Sequence, residues 1–334
     1  MQITTEVLKN FAETTVEKLT RVDHSILAAY LTGSLVTEEN PLLGGTADID
    51  LIFIHIGEPQ TSREILRLTD EVHLDIAHHP QRDYLWRREL RVHPWMGPAI
   101  SEAIVMYDPQ HFLDLTRASV QGLFHQADNM LKRSLPLIAH AREIWLNFQL
   151  TSPDPGPEAI FDYLRVLSRA ANAIAVLGGD PLTERRFLLN FPDRVEAIGH
   201  PGMYAGLLGL LGAPRVDAEI LASWLPAWET TLDALPQVGR HPRLHPYRKS
   251  YYLQAFQAIL GSGQPQNILW PLLRTWTLAA RSLPESDPVI QKWRDACQHL
   301  GLLGPDFAER ITALDAYLAQ VEEAIDAWAR ENGA

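Results

Sequence analysis

Cysteine is almost absent from this chain: its 334 residues include a single one, Cys297. One thiol cannot form an internal disulfide, and such sparing use of cysteine is typical of proteins in a reducing compartment. We therefore expect a cytoplasmic protein. Cys297 itself is interpreted as a small apolar side chain that fills space in a helix.

Long apolar runs and a leader-like start are also missing. No stretch approaches the roughly 20 continuous apolar residues that a membrane span requires. Residues 1–6 do not place a basic segment before an apolar one, as a secretory signal does. These absences predict a protein without a membrane span and without an export signal.

Basic residues are outnumbered by acidic ones. The chain has 29 Lys and Arg against 41 Asp and Glu, which gives a net charge of −12. Proteins that bind nucleic acids usually present a basic face to the phosphate backbone, so this balance argues against a polyanionic acceptor such as tRNA. It favours a small-molecule acceptor, and a cationic one would be attracted to an acidic cleft.

What the chain does contain is enough apolar sequence for two domains, with 46% hydrophobic residues. Runs of strand-like alternation occur only in its first third, at residues 25–31, 48–54, 72–77 and 103–107. The rest has helical periodicity with proline and glycine at the breaks. We therefore predict a small mixed α/β domain over residues 1–120 and an all-α helical bundle over residues 121–334, which closes a cleft against the first domain.

Segments with helical periodicity complete this prediction. In the first domain they are residues 7–22, 61–70, 83–91 and a helix that begins at 111. In the second domain they are residues 123–150, 158–177, 193–198, 217–235, 247–260, 267–281, 287–300 and 305–330. The tryptophans of this second part are interpreted as core residues: Trp224, Trp228, Trp270 and Trp276.

Two acids open one of the predicted strands. Asp48 and Asp50 stand two residues apart, so their carboxylates point to the same face while Ile49, Leu51 and Phe53 enter the core. Two carboxylates pressed together beside an apolar sheet cost free energy unless a cation lies between them. Their hard oxygen ligands suit Mg²⁺, which commonly shares its coordination shell with substrate phosphates.

Other residues can complete such a site. Asp75 lies in the next alternating strand, and it can join the same metal if that strand pairs with the first. Gly33 allows a close backbone approach, and Ser34 with its neighbouring N–H groups can hold a phosphate. We interpret the histidines that flank Asp75 as strand-end residues, since their spacing does not suit zinc: His73, His78 and His79.

The spacing of these residues resembles the nucleotidyltransferase superfamily typified by DNA polymerase beta. That pattern is an apolar segment with Gly-Gly or Gly-Ser, nine to thirteen residues, Asp-apolar-Asp or Glu, and a later acid between apolar residues. Leu31-Thr32-Gly33-Ser34, Asp48-Ile49-Asp50-Leu51 and Asp75 match it in order, within residues 25–78. The other interpretation is a polar turn followed by strand-edge acids on a solvated face.

The resemblance implies a nucleotidyltransferase domain with a defined set of roles. Asp48, Asp50 and Asp75 would bind Mg²⁺ and carry catalysis, and Gly33 with Ser34 would hold the triphosphate of ATP or another NTP. Asp75 would also help to activate the acceptor. The reaction would be metal-assisted in-line attack of an acceptor hydroxyl on the α-phosphate.

A narrower likeness extends in pieces to about residue 280. Residues 87–90, Arg-Arg-Glu-Leu, resemble a stretch of the streptomycin/spectinomycin (aminoglycoside) adenylyltransferases, where Gly-Glu-Trp follows and its acid is the expected general base. This chain has His93-Pro94-Trp95, so Pro94 occupies the place of the acid. We consider His93 as a base in its stead, because imidazole titrates near neutrality; the alternative is a histidine that only shapes a loop.

The second domain of that family usually places a lysine near the nucleotide phosphates, in a turn between two helices. The matching turn here, residues 264–267, has no lysine. Lys249 is our candidate for this phosphate contact, with Arg248 and Arg274 as further possibilities. The alternative is that these cations are solvated residues at helix ends.

These observations favour one function and leave two alternatives open. The favoured function is transfer of AMP from ATP to a hydroxyl of a small molecule, an aminoglycoside-type antibiotic being one candidate. A toxin-type nucleotidyltransferase that modifies tRNA or protein is the first alternative. The second is a catalytically silent nucleotide-binding module. Three intact carboxylates argue against the silent module, and the acidic chain argues against tRNA.

Overall fold

Contacts between residues divide the chain into two units, Met1–Asn129 and Met130–Ala334. The computed structural model describes residues 3–151, 153–237 and 240–334. A five-stranded sheet lies in the first unit, and the second unit contains helices and no strand within these ranges. The chain is therefore of the mixed α/β class.

Fourteen α-helices are present in the described ranges. The first unit contains α1 (Thr5–Val22), α2 (Ser34–Thr37), α3 (Arg87–Val92), α4 (Met96–Ser101) and α5 (Phe112–Gln121). Helix α6 (Ala127–Thr151) crosses the division, and the second unit continues with α7 (Pro157–Gly178), α8 (Phe187–Ala197), α9 (Gly202–Leu210), α10 (Ala218–Asp233), α11 (Arg248–Leu260), α12 (Leu269–Arg281), α13 (Ile290–His299) and α14 (Asp306–Asn332). No helix in the described ranges is both long and apolar enough to cross a membrane.

The sheet has the strand order β3-β4-β2-β1-β5. Its strands are β1 (Ile26–Thr32), β2 (Ala47–His55), β3 (Arg63–Arg67), β4 (Val72–Pro80) and β5 (Ile104–Tyr107). β2 and β4 run parallel, and the other neighbouring pairs run antiparallel. The four alternating segments of the sequence are thus confirmed as β1, β2, β4 and β5.

Each face of the sheet packs against helices, and this explains the alternation along β2. Ile49, Leu51 and Phe53 are fully buried on the face that α1 covers with Leu8 and its neighbours. The opposite face packs Ile54 and other strand residues against α3 to α5. Because successive side chains of a strand alternate, Asp48 and Asp50 lie on this second face, before its apolar part begins.

The end of the α/β unit lies later than the sequence predicts. The predicted boundary at residue 120 falls inside α5, and the division by contacts lies at Asn129. Leu113 and Val120 of α5 are buried in the same cluster as Tyr30 and Ile54 of the sheet. Helix α5 therefore completes the core of the sheet and belongs to the first unit.

One predicted helix is wrong. Residues 61–70 contain the edge strand β3, which pairs antiparallel with β4 from Arg63↔Ala77 to Arg67↔His73. The Thr61 hydroxyl, just before this strand, donates to the carboxylate of Glu64 at 3.2 Å. A segment this short gains little from helix propensity, so pairing with an exposed sheet edge decides its conformation.

The predicted helix over residues 83–91 is interrupted. A 3-10 turn at Gln81–Tyr84 precedes α3, and Leu85 and Trp86 between them are exposed. Tyr84 is fully buried, with its hydroxyl 3.0 Å from that of Tyr30 and 2.7 Å from Nδ1 of His79. Because Tyr84 is anchored in the core, the 3-10 turn ends there and a separate helix, α3, begins at Arg87.

The helical predictions for the second unit are largely confirmed. Helix α8 begins at Phe187, before the predicted residue 193, and α9 was not predicted because its glycine-rich apolar sequence has no polar face. Trp228, Trp270 and Trp276 are buried core residues as expected, whereas Trp224 is only partly buried. This unit thus has its own apolar interior.

A row of hydrogen-bonded side chains lies at the end of β2 that is remote from Asp48 and Asp50. The Ser25 hydroxyl donates to Asp23 at 2.7 Å, so it accepts from Nδ1 of His55 at 2.9 Å. Nε2 of His55 then accepts from Nδ1 of His78, also at 2.9 Å.

His78 Nε2 is buried, lies 3.7 Å from the Glu64 carboxylate and makes no hydrogen bond to a described residue. Burial lowers the pKa of both imidazoles.

This row predicts a loss of stability in mild acid. Because the pKa values of His55 and His78 are lower in the folded state, the unfolded chain binds more protons as the pH falls below about 6.5, the ordinary histidine value. The free energy of unfolding should therefore fall between about pH 7.5 and about pH 5.5. Replacing His78 by Gln, which can still donate to His55, should reduce that fall.

Urea unfolding at both pH values measures the effect. The exposed His24, changed to Gln, is the matched control and should behave as the parent. An equal loss of stability in the parent and in His78→Gln would contradict the assignment.

Candidate metal and phosphate site

Parallel pairing of β2 with β4 brings three acids together. Asp50 lies directly opposite Asp75, and Asp48 lies opposite His73. Opposed residues of parallel strands point to the same face, so both carboxylates of the first pair occupy one side of the sheet. One oxygen from each of Asp48, Asp50 and Asp75 lies within 4.8 Å of the others. Such a separation suits three ligands of one metal ion.

The surroundings make this grouping costly without a cation. Asp75 is 2% exposed and Asp48 is 9% exposed, while Asp50 is half-buried. Carboxylates that are crowded together and withdrawn from water repel one another more strongly than they do on a solvated surface. The alternative of strand-edge acids on a solvated face does not fit this burial. Three carboxylate oxygens are the donors that a hard divalent cation prefers.

Gly33 forms one wall of the site. It follows β1, whose last residue, Thr32, lies opposite Asp50. A Cβ atom at position 33 would stand 2.0 Å from Oδ2 of Asp50, and the backbone there has φ 76°. Both the contact and the positive φ require glycine. Gly33 therefore lets the backbone touch the carboxylate cluster.

Ser34 lies next to that contact. Its hydroxyl oxygen is buried and has no hydrogen-bond partner among the described residues. The turn that carries it is held in place, since the Gly33 carbonyl accepts from the backbone N–H groups of Val36 at 2.9 Å and Thr37 at 3.1 Å. A buried hydroxyl without a protein partner is costly, and a ligand oxygen beside the carboxylates would satisfy it.

The loop that leads into β2 ends in a tight turn. Gly44 and Gly45 have φ values of 63° and 76°, and Leu43 and Thr46 exchange backbone hydrogen bonds of 3.1 and 3.3 Å across them. Two successive residues with positive φ are typical of a type I′ turn. This turn delivers the chain to Asp48 in a fixed direction.

Arg63 is a site residue that the sequence did not reveal. Its guanidinium group donates from Nε and Nη2 to the two oxygens of Asp75, at 2.5 and 2.6 Å. Arg63 stands on β3, which was predicted to be helical, so its position beside Asp75 could not be foreseen. Among these four side chains, three negative charges face one positive charge.

His93 has a structural role in the loop before α4. Its Nδ1 accepts from the backbone N–H groups of Trp95 at 3.2 Å and Met96 at 3.0 Å. These bonds satisfy donors at the start of α4, and partial burial lowers the pKa of the imidazole. The described group of converging carboxylates does not include His93.

Lys249 lies in the second unit, near the start of α11. Its Nζ donates to both oxygens of Asp233, at 2.8 and 2.9 Å. It lines a cavity together with Arg240 and His245. A carboxylate of its own unit therefore engages this ammonium group.

Replacing Gly33 by Ala tests the packing around the cluster. The new Cβ would meet the Asp50 carboxylate and would be strained at this φ, so we expect unfolding to cost ~1–3 kcal/mol less than in the parent. Urea unfolding measures the difference. Gly57→Ala is the matched control, because nothing lies within 4 Å of a Cβ there. Equal stability of the two variants would contradict the prediction, because it would show that the Asp50 carboxylate can move away from the new Cβ at no cost.

No protein-family model matches the sequence, and no curated protein shows significant similarity to it. The function of this chain must therefore be inferred from its own residues and their geometry.

Proposed function

We propose that this protein is a Mg²⁺-dependent nucleotidyltransferase that transfers AMP from ATP to a hydroxyl of a small molecule. The observation that carries the proposal is the convergence of Asp48, Asp50 and Asp75 within 4.8 Å. It occurs on two parallel strands beside Gly33 and Ser34. The order and spacing of these residues resemble those of the DNA polymerase beta-like nucleotidyltransferases.

The carboxylates differ in what they can contribute. Asp48 and Asp50 project from one strand and would form the shared face of the metal site. Asp75 completes it, and its ion pair with Arg63 favours the charged carboxylate, the form that ligates a metal. Because each carboxylate oxygen has two acceptor positions, the two hydrogen bonds from Arg63 leave Asp75 able to bind a metal. Mg²⁺ held there would neutralise phosphate charge and assist departure of pyrophosphate.

The backbone and hydroxyl beside the carboxylates supply the phosphate contact. Gly33 keeps this wall free of a side chain, and the Ser34 hydroxyl has an unused hydrogen-bonding capacity. A triphosphate oxygen could accept from that hydroxyl without displacing a protein partner. An acceptor hydroxyl would then need to approach the α-phosphate from the solvent side of Asp50, which is the least buried of the acids.

A second candidate is a catalytically silent nucleotide-binding module. The observation that favours it is the Arg63–Asp75 pair, in which both oxygens of one expected metal ligand already accept hydrogen bonds. A module that only binds a nucleotide could function while Arg63 keeps both oxygens of Asp75 hydrogen-bonded. An enzyme requires Asp75 to share its oxygens with a metal.

Metal-dependent binding of ATP is the first test of the proposal. ATP should stabilise the chain only with Mg²⁺ or Mn²⁺ present, by ~2.7 kcal/mol at a hundredfold excess over its dissociation constant. Thermal unfolding with metal or with EDTA measures it. Asp70→Asn, a change at a surface acid paired with Arg67, is the control and should respond as the parent does. Equal stabilisation by ATP in EDTA would contradict a metal site.

Replacing Asp50 by Asn tests whether Asp50 is a metal ligand or an acid that only stabilises the fold. If Asp50 is a ligand, the metal-free variant should be no less stable than the parent, because repulsion among the carboxylates is relieved. Pyrophosphate release with a hydroxyl acceptor should fall by orders of magnitude. A variant that melts much lower without metal would make Asp50 a structural acid.

The same assay distinguishes the two candidates. Pyrophosphate release by the parent is screened with small hydroxyl compounds, including aminoglycosides, and with tRNA. Asp75→Asn is a less clean probe, since it also weakens the pair with Arg63 and should cost ~1–3 kcal/mol for that reason alone. Metal-dependent ATP binding by a parent that releases no pyrophosphate with any acceptor would favour the silent module.

A further inference from the structure

A second cluster of charged side chains lies in the helical unit, around Arg274 of α12. The Arg274 side chain is 10% exposed and its guanidinium group lies 5.1 Å from the ring centre of Phe161 and 5.7 Å from that of Trp270. Its Nη1 is buried and makes no hydrogen bond to any described residue. A charged donor in an aromatic environment is thus left with unused N–H groups.

One carboxylate faces two guanidinium groups in this cluster. Nε of Arg243 lies 3.0 Å from one oxygen of Glu184, and Nε of Arg274 lies 3.9 Å from the other. Arg165, which is close enough to repel Arg274, is itself paired with Asp162 at 2.8 Å. These pairings leave one positive charge in excess.

Electrostatics agree with an excess of positive charge. Burial is the main cause that lowers the pKa of Arg274; Glu184 opposes this effect, and repulsion from Arg243 and Arg165 adds to it. The carboxylate therefore does not fully compensate the buried guanidinium. An additional anion would do so.

The cluster also contains an unused acceptor. Oε1 of Glu184, the oxygen nearest Arg274, is buried and accepts no hydrogen bond from any described residue. The guanidinium group that carries the unmatched donor thus has its Nε 3.9 Å from the unmatched acceptor. The side chain of Arg243, which pairs with the other oxygen of Glu184, is 43% exposed.

We propose that Arg274, Arg243 and Glu184 form a binding site for hydrogen phosphate. The phosphate oxygens accept from Nη1 of Arg274 and from the Arg243 guanidinium, whose planar donors suit a phosphate group. The P–OH group donates to Oε1 of Glu184. Both unused groups are thereby satisfied and the excess positive charge is compensated. The site needs no metal and does not depend on the proposed nucleotidyl transfer.

This geometry predicts discrimination between two anions of similar size. Hydrogen phosphate keeps a hydroxyl donor at neutral pH, whereas sulfate has none and would place an oxygen against the Glu184 carboxylate. A phosphate monoester also loses its hydroxyl above its second pKa of about 6. Inorganic phosphate should therefore bind better than either sulfate or AMP at neutral pH.

The test uses the full chain in EDTA, with phosphate, sulfate or AMP added at constant ionic strength. Calorimetric titration should show saturable binding of phosphate at least about tenfold tighter than that of sulfate. Arg274→Met should abolish it. Glu184→Gln, which replaces the acceptor by an amide that can also donate, should let sulfate bind about as well as phosphate.

Two controls separate this site from other effects. Arg330→Met removes an exposed arginine of the same unit and should leave phosphate binding intact. Asp50→Asn should also leave it intact, so failure of the nucleotidyltransferase proposal would not affect this one. If Arg274→Met does not fold, Arg243→Gln and Glu184→Gln provide the same comparison.

Several results would overturn the proposal. They are equal binding of phosphate and sulfate by the parent, absence of saturable phosphate binding, or phosphate binding that persists in Arg274→Met and Arg243→Gln. A preference for phosphate that survives in Glu184→Gln would also reject the role of the carboxylate.

Discussion

The in-register parallel pairing of β2 with β4 is the constraint on which the candidate site depends. It sets Asp50 directly opposite Asp75, and the three carboxylates converge only with that alignment. A slip of one residue would send Asp75 to the opposite face of the sheet. The register is held because Ile49 and Leu51 of β2 and Leu74 and Ile76 of β4 share one buried cluster. Apolar packing on one face thus fixes carboxylate geometry on the other.

The edge strand β3 ties the stability of the sheet to the charge of the site. By pairing with β4 it covers an edge that would otherwise expose unpaired backbone groups beside Asp75. The same strand carries Arg63, whose side chain is 42% exposed and whose guanidinium group donates to both oxygens of the buried Asp75 carboxylate. An incoming cation would therefore meet a cluster in which one charge is already compensated and the acid positions are already fixed.

Residue patterns predicted the parts of this unit that depend on local order. Four strands, the shared face of Asp48 and Asp50, and the need for glycine at position 33 follow from alternation and spacing alone. β3 could not be recognised because Arg-Glu-Ile-Leu-Arg suits a helix equally well, and only its neighbour decides its conformation. For the same reason the Arg63–Asp75 pair was missed, and the contacts of His93 with the N–H groups of α4 were not visible in sequence. Tertiary pairing supplies what a single sequence does not encode locally.

Buried polar groups in the helical unit show how matched pairing is achieved. The indole N–H of Trp228 donates to Thr275 at 2.9 Å, and that of Trp276 donates to Thr231 at the same distance, so α10 and α12 exchange bonds reciprocally. Trp293 donates in the same way to Thr277 at 3.1 Å. In contrast to these Trp–Thr pairs, Arg274 has a buried donor and Glu184 a buried acceptor without a hydrogen bond to a described residue. Two such groups reduce the stability of the fold unless a ligand satisfies them. Both groups belong to one cluster of charged side chains, and one ligand with a hydroxyl and an anionic oxygen would satisfy both, which is why we assign this feature to binding rather than to packing.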